Sequence, residues 1–411
     1  MQRREFLQTS LGSALAAAVT ASLPAQEKRK PKVLLRNAWQ TVNIGDIGHT
    51  PGILTILEKH VPEIDVTLWP SSIGEGVEPL LLKRFPNLKI AKGKAEIDAA
   101  VKENDFLLHG SGSGFVAVKD VGRWQKETGK PYGIWGISHA PEISDVSKQL
   151  LSGAKFCYFR DGRSVSAMKK AGVTCPVMEF GPDGAFAVDL RNDALADKYL
   201  QESGLETGKF MCCIPRLRYT PYWLIKKDRP FDEKKHARNE EMKEHDNAPL
   251  RDAVIALVRE TDMKVLVCPE DMSQMAVGKE TIMDKLPADV AKRVVWRENY
   301  WLTDEALSVF VRSAGLFGNE MHSPIMCIGN GVPAIVCRFA EQTTKGWMWD
   351  DIGLKEWLFD HDFDEAHKGL TAAVLGIAKD PAGAKAKAAK AHAFVQERQR
   401  VMSESLKQAL A

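Results

Sequence analysis

Short apolar runs alternate with polar or amphipathic stretches along most of the chain. Residues 33–35, 64–69, Phe106–His109, Tyr132–Ile137 and 156–159 are such runs, rich in Val, Ile, Leu, Phe and Tyr. Runs this short, apolar at nearly every position, predict strands buried on both faces. Helical spacing fills the gaps, at about 50–59 with Pro51 in the first turn, and at 164–170. The pattern restarts after Leu205. Strands are expected at Phe210–Ile214, 264–268, 293–296, 314–317 and 334–336, with an amphipathic helix at 250–260. This alternation predicts an α/β protein with parallel sheets. We expect two Rossmann-like domains, 33–204 and 205–375, facing a cleft. Residues 376–411 are rich in Ala and Lys and predict a C-terminal helix packing back across both domains. The charged stretch 226–247 reads as a solvated helix or insertion without chemistry of its own.

The N-terminus carries a different pattern. Arg3-Arg4 is followed by Phe6-Leu7 and an Ala-rich apolar run from Leu11 to Leu23. Residues 1–25 resemble a twin-arginine export signal, with cleavage expected after Ala25, and 26–32 form a basic linker. An ordinary N-terminal helix or a retained anchor are the alternatives. The signal implies a chain that folds before export to the periplasm or cell envelope.

Composition narrows the function classes. The chain has 411 residues, 44% hydrophobic and 27% charged, a globular balance with room for two domains. A net charge of +2 excludes a nucleic-acid partner bound through a basic field. Seven scattered cysteines do not form a disulfide framework and read as buried thiols. The mature chain has no apolar run long enough to span a membrane. No zinc, calcium or other metal motif appears, and no G-x-S-x-G elbow. The pattern sets no oligomeric state.

Candidate chemistry lies where strands end, because ligands of open parallel sheets bind beyond the strands' carboxyl ends. Asn43, Gly45 and Asp46 fall in a glycine-containing loop after the first strand, with Asp46 as a base or a hydroxyl ligand. Gly110, Ser111 and Gly112 begin a Gly/Ser loop whose amides can cradle an anion. Arg160 follows the fifth strand and suits a carboxylate or phosphate, or a pair with Asp161. The most specific stretch holds Glu320, His322 and Ser323, with His322 opening a helix as an acid/base candidate. Lys345 adds a cation past the final strand. Trp347 and Trp349 offer stacking surfaces for sugar rings, whereas Trp357 reads as core.

Taken in order, N-x-G-D, the Gly-rich loop, Arg160-Asp161 with Ser164, Phe180-Gly181-Pro182-Asp183 and His322-Ser323 before Gly331-Val332-Pro333 resemble the polysaccharide pyruvyl transferase family. The resemblance spans roughly residues 33–358. It implies a fold similar to the glycosyltransferase B architecture. It also implies transfer of a pyruvyl group from phosphoenolpyruvate, as co-substrate rather than cofactor, to a sugar of a cell-envelope or exopolysaccharide glycan. The partners are then a small-molecule donor and a glycan acceptor. By that resemblance His322 is the donor-site acid/base residue and Asp46 faces the acceptor. One position departs: the family carries Arg two residues before this His, and here it is Glu320. A carboxylate there predicts repulsion of the anionic donor by about 1–4 kcal/mol. It leaves another carbohydrate-active enzyme, or a glycan-binding protein without catalysis, as alternatives.

Overall fold

The computed structural model describes residues 29–411. The export signal expected at residues 1–25 lies outside the described residues. Of the linker, Arg29 is described and forms a bidentate pair with Asp105.

Two sheets form, and every strand pair in both is parallel. The first has seven strands: β1 (Lys32–Asn37), β2 (Asp65–Pro70), β3 (Lys89–Ile90), β4 (Phe106–His109), β5 (Tyr132–Ile137), β6 (Cys157–Phe159) and β7 (Met178–Phe180), in the order β3-β2-β1-β4-β5-β6-β7. The second has six: β8 (Phe210–Ile214), β9 (Lys264–Val267), β10 (Val294–Trp296), β11 (Gly315–Gly318), β12 (Ala334–Arg338) and β13 (Leu358–Asp360), in the order β10-β9-β8-β11-β12-β13. Alternate residues of β1 feed different cores. Val33 and Leu35 join one apolar cluster and Leu34 another, so the first sheet is covered on both faces. β8 and β12 are buried at every position, as an inner parallel strand must be. All seven cysteines are buried and free.

Several elements differ from expectation. β3, β7 and β13 were not anticipated, because they are two or three residues long and only partly apolar. The segment 43–48 is no loop. Helix α1 (Ile44–His60) starts there, with Asn43 as its cap and Pro51 well inside it. The charged stretch is not an isolated solvated insertion. It continues into the expected amphipathic helix as α2 (Glu233–Glu260), with Asp246 buried against Arg218. Among the described residues no helix is long and apolar enough to cross a membrane.

Four elements join the halves. Helix α3 (His322–Gly329) of the second half and α1 of the first both pack on the short 3-10 turn Gly184–Ala187. The approach is so close that a Cβ on Gly52 would lie 1.9 Å from the Gly184 carbonyl oxygen. One on Gly329 would lie 1.9 Å from that of Phe186. Helix α4 (Pro381–Leu410) then spans both cores, with Ala388 and Val395 in the second and Met402 and Leu406 in the first.

Gly52→Ala and Gly329→Ala should therefore each destabilise the protein by about 1–3 kcal/mol or more, since backbone must move to admit a methyl group. Gly376→Ala, on the exposed side of the helix Asp364–Lys379 with nothing within 4 Å of its Cβ, should stabilise by about 0.4–1 kcal/mol. Equilibrium urea unfolding of the three variants checks the contrast.

Candidate active site

In each sheet the strand order reverses beside the first strand of that half, β1 in one and β8 in the other. The carboxyl ends at such a reversal leave a crevice. A cavity of about 860 Å³ lies there. Trp39, Asn43 and Asp46 line it from beyond β1, Arg216 and Tyr222 from beyond β8, Glu320 and His322 from beyond β11, and Lys345 from beyond β12.

The floor begins with the first turn of α1. Asn43 Oδ1 accepts from the amides of Gly45 at 2.8 Å and Asp46 at 3.1 Å, which caps the helix. The Ile44 amide donates across to the Glu270 carbonyl at 2.9 Å, and the Met272 amide donates back to Val42 at 3.1 Å. Thr303 Oγ1 donates to the Ile44 carbonyl at 2.7 Å. This end of α1 is thus stitched to the second half. Asp46 projects from the first turn into the cavity and accepts from Gln40 Nε2.

One turn on, His49 is fully buried. Its Nδ1 lies 2.8 Å from Asp183 Oδ1 and 2.7 Å from Ser111 Oγ. Asp183 also receives Arg160 at 2.6 Å and caps Ala185. Burial pushes the Asp183 carboxyl up, but the charges of His49, Arg160 and His322 outweigh it and hold it well below the usual carboxylate range.

From the other half, the His322 ring packs directly over Gly45, where a Cβ would lie 2.0 Å from the His322 Cβ. Only glycine fits beneath it. His322 meets His49 edge to face, with ring centroids 5.0 Å apart. Glu270, fully buried beyond β9, clamps the start of α3. Its Oε1 is 3.2 Å from His322 Nδ1, and its Oε2 accepts the Ser323 amide at 2.6 Å. Burial raises the Glu270 carboxyl, but the hydrogen bond and charge of His322, with Lys345 and the Ser323 amide, bring it down to about 2. The anion at this helix start is the protein's own Glu270.

The wall carries the cations. Arg216 Nη1 donates to Glu320 Oε2 at 2.9 Å, and Gln274 Nε2 to Glu320 Oε1 at 2.6 Å. Burial pushes Glu320 up to about 7, against the pull of Arg216. Lys345 is half-buried and makes no ion pair among the described residues. Burial lowers its pKa, Glu320 opposes this, and Arg216 and Arg160 add to it. The mouth is aromatic, with Trp39, Tyr222, Trp223 and the exposed Phe231. The charged stretch expected to lack a role supplies Asp232, Glu233, Lys234 and Lys235 to this mouth.

The structure brings Asn43, Asp46, Glu320, His322 and Lys345 to one cavity. Other candidates lie behind it. The amides of Gly110 and Gly112 donate to the carbonyls of Arg36 and Gly136, so they are not free to cradle an anion as expected. Of that loop, Ser113 lines the cavity, and Ser111 backs His49. Arg160 is fully buried against Asp183 and Ser138. Gly45 lies beneath His322, and Ser323 faces Glu270 through its amide. Trp347 stacks under Arg163, and Trp349 and Trp357 are core, so none of the three lines this cavity. Sequence reasoning missed His49, Arg216 and Glu270. The signal for the last two was their position just past the strands at 210–214 and 264–268.

Similar architectures occur among solved structures. Anabaena HepE in complex with UDP aligns over 92% of this chain and 100% of its own, at 12% identity and a TM-score of 0.56. An α,α-trehalose-phosphate synthase (UDP-forming) from Burkholderia vietnamiensis covers 94% and 99%, at 8% and 0.51. The ADP-heptose lipopolysaccharide heptosyltransferase II of E. coli covers 85% and 99%, at 10% and 0.50. At these identities the likeness shows the fold, a two-sheet architecture of the glycosyltransferase B type. No curated protein matches the chain. The family model of the polysaccharide pyruvyl transferases matches residues 43–339, from the cap of α1 to just past β12, and takes in Asp46, Arg216, Glu320 and His322. With most of its length matched, the chain belongs to the polysaccharide pyruvyl transferase family, a family of sugar-modifying transferases.

Proposed function

We propose that this protein transfers a pyruvyl group from phosphoenolpyruvate to a sugar of a cell-envelope or exopolysaccharide glycan. The observation that carries the reading is the pair of cations, Arg216 and Lys345, on the wall of the cavity that Asp46 and His322 enter. Glu320 stands where the family has Arg, but its carboxylate is matched by Arg216 from the end of β8. The cation reaches the cavity from a neighbouring strand. Arg216 and Lys345 hold the donor's carboxylate and phosphate. Asp46 and His322 act on the acceptor hydroxyl that attacks. Two C–O bonds form at the former enol carbon and the bond to phosphate oxygen breaks. One hydroxyl proton ends on the methylene carbon, making it a methyl group, and the other leaves with phosphate. Trp39, Tyr222 and Trp223 at the mouth suit the apolar faces of a bulky glycan. The paired arginines at Arg3 and Arg4 support an exported enzyme of the periplasm or envelope.

Phosphoenolpyruvate at about 100 times its dissociation constant should stabilise the protein by about 2.7 kcal/mol in a thermal-shift titration. Lys345→Met and Arg216→Ala should each weaken donor affinity by about 1.5–3 kcal/mol, the worth of a charged hydrogen bond, and so remove most of that response at the same concentration. A shift with UDP and none with phosphoenolpyruvate would turn the reading to glycosyl transfer from a nucleotide donor.

Above about pH 7, where Glu320 is ionised, Glu320→Gln removes a negative charge from the wall and releases Arg216. Donor affinity should rise by about tenfold, near 1.4 kcal/mol, measured by calorimetry. A fall would show that this carboxylate works for the ligand rather than against it.

A further inference from the structure

Two histidines and an aspartate from opposite halves converge on one point. Asp46, His49 and His322 each offer a ligand atom, and these atoms lie within 4.8 Å of one another. A carboxylate behind each ring fixes its tautomer. Carboxylate oxygens only accept, so the hydrogen sits on Nδ1 of His49 facing Asp183, and on Nδ1 of His322 facing Glu270. With the rings neutral, as an ion that displaces their second proton makes them, the lone pair is left on Nε2 in both. Both Nε2 atoms are buried and have no hydrogen-bond partner among the described residues. Asp46 Oδ1 stands 3.8 Å from the His49 Nε2. Two oriented lone pairs and a carboxylate aimed at one spot, each ring backed by an acid, match the build of a metal centre with its supporting carboxylates.

We propose that Asp46, His49 and His322 bind a divalent first-row transition-metal ion through the two Nε2 atoms and a carboxylate oxygen. The nitrogen and oxygen set favours zinc, manganese, cobalt or iron over calcium or magnesium. Bonds of about 2.0–2.2 Å at tetrahedral angles place ligand atoms roughly 3.4 Å apart, so the three groups close by about an ångström on binding. Asp46 is the one free to do so, being half-buried on the first turn of α1 with Gln40 and the cavity beside it. Asp46 and His322 line the cavity, so the open coordination position faces it, on the side of Arg216 and Lys345. An ion there polarises a hydroxyl or an anionic oxygen. It takes over the activation given above to the free side chains of Asp46 and His322. No linear motif announces the site, because one ligand comes from a different half of the chain. The site goes beyond the pyruvyl-transfer reading and does not depend on it.

The test is metal binding by the full chain in the absence of any donor. The protein is stripped with chelator, checked for native circular dichroism, and titrated with zinc and with cobalt. One equivalent per chain is expected, with visible absorption bands from bound cobalt and a melting temperature that rises with metal. Asp46→Asn and His322→Ala should each weaken binding by about 100-fold or more, and Asp183→Asn, acting through the His49 ring, by about 10–100-fold. His49→Ala removes a fully buried ring and risks misfolding, so the partly exposed, near-isosteric Asp46→Asn carries the decision. Folded wild-type protein that takes up less than about a tenth of an equivalent at roughly 100 µM metal overturns the proposal. So does binding that is equal in wild type, Asp46→Asn and His322→Ala. The phosphoenolpyruvate response of the stripped protein is read separately through Arg216 and Lys345, so either reading can fall while the other stands.

Discussion

The contact of His322 with Gly45 is the constraint on which the site depends. A histidine ring lies where any other residue at 45 would put its Cβ. The first turns of two helices from two different sheets can then meet face to face. The backbone follows suit, with Ile44 bonded to Glu270 and Met272 to Val42 across the boundary. The two halves are thus fastened at the floor of the cleft. These contacts set the spacing of Asp46, His49 and His322. The glycines at 52 and 329 serve the same junction from behind, where the turn Gly184–Ala187 wedges between α1 and α3.

Buried charge around this floor is balanced locally. Asp183 answers Arg160 and His49, Glu270 answers His322 and a helix amide, and Glu320 answers Arg216. Leaving any one of these carboxylates without its partner would strand a charge in a low-dielectric setting, which is strongly destabilising. Balance at each site also explains how the wall tolerates Glu320. Arg216 lines the cavity from beyond β8, so a cation faces it although residue 320 is a carboxylate. Lys345, without an ion pair of its own among the described residues, then tips the wall towards positive charge.

Much of the fold was legible because inner parallel strands are apolar at every position, as in 106–109 and 210–214. The strands at 89–90, 178–180 and 358–360 were not, being short and half polar. The start of α1 was misread because glycines at 45 and 48 disfavour a helix. They are there for close approach, Gly45 under His322 and Gly48 within 3.3 Å, Cβ to sulfur, of Met326. Tertiary packing outweighed local propensity. Asp46 and His322 stood out from their strand-end loops, and the rule that ligands gather at carboxyl ends was enough to bring them to one cleft. Their partners were hidden for a different reason. Which strand end lies beside which depends on the order β9-β8-β11, and a linear sequence does not state it. Glu270 and Arg216 become neighbours of Glu320 and His322 only once that order is known. The charges of 226–247 were read as solvated because charged helices usually are, whereas here a cavity takes the place of bulk water on one side.

The cavity grades from floor to mouth, and the grading fits group transfer onto a large acceptor. At the floor, His49, Glu270 and Asp183 are fully buried, so charges there act in a medium that screens them weakly. Groups that stabilise developing charge gain most from that setting, and they are held by helix starts and neighbouring acids, so little reorganisation is needed. Arg216, Glu320 and Lys345 form a middle layer whose charges suit a small anion. The mouth is broad, aromatic and half exposed, with Trp39, Tyr222, Trp223 and Phe231. The proposed function would seat a small charged donor deep in such a gradient and a glycan at its rim. On the proposed pyruvyl transfer, only the reacting hydroxyls would have to reach the floor, beside Asp46 and His322.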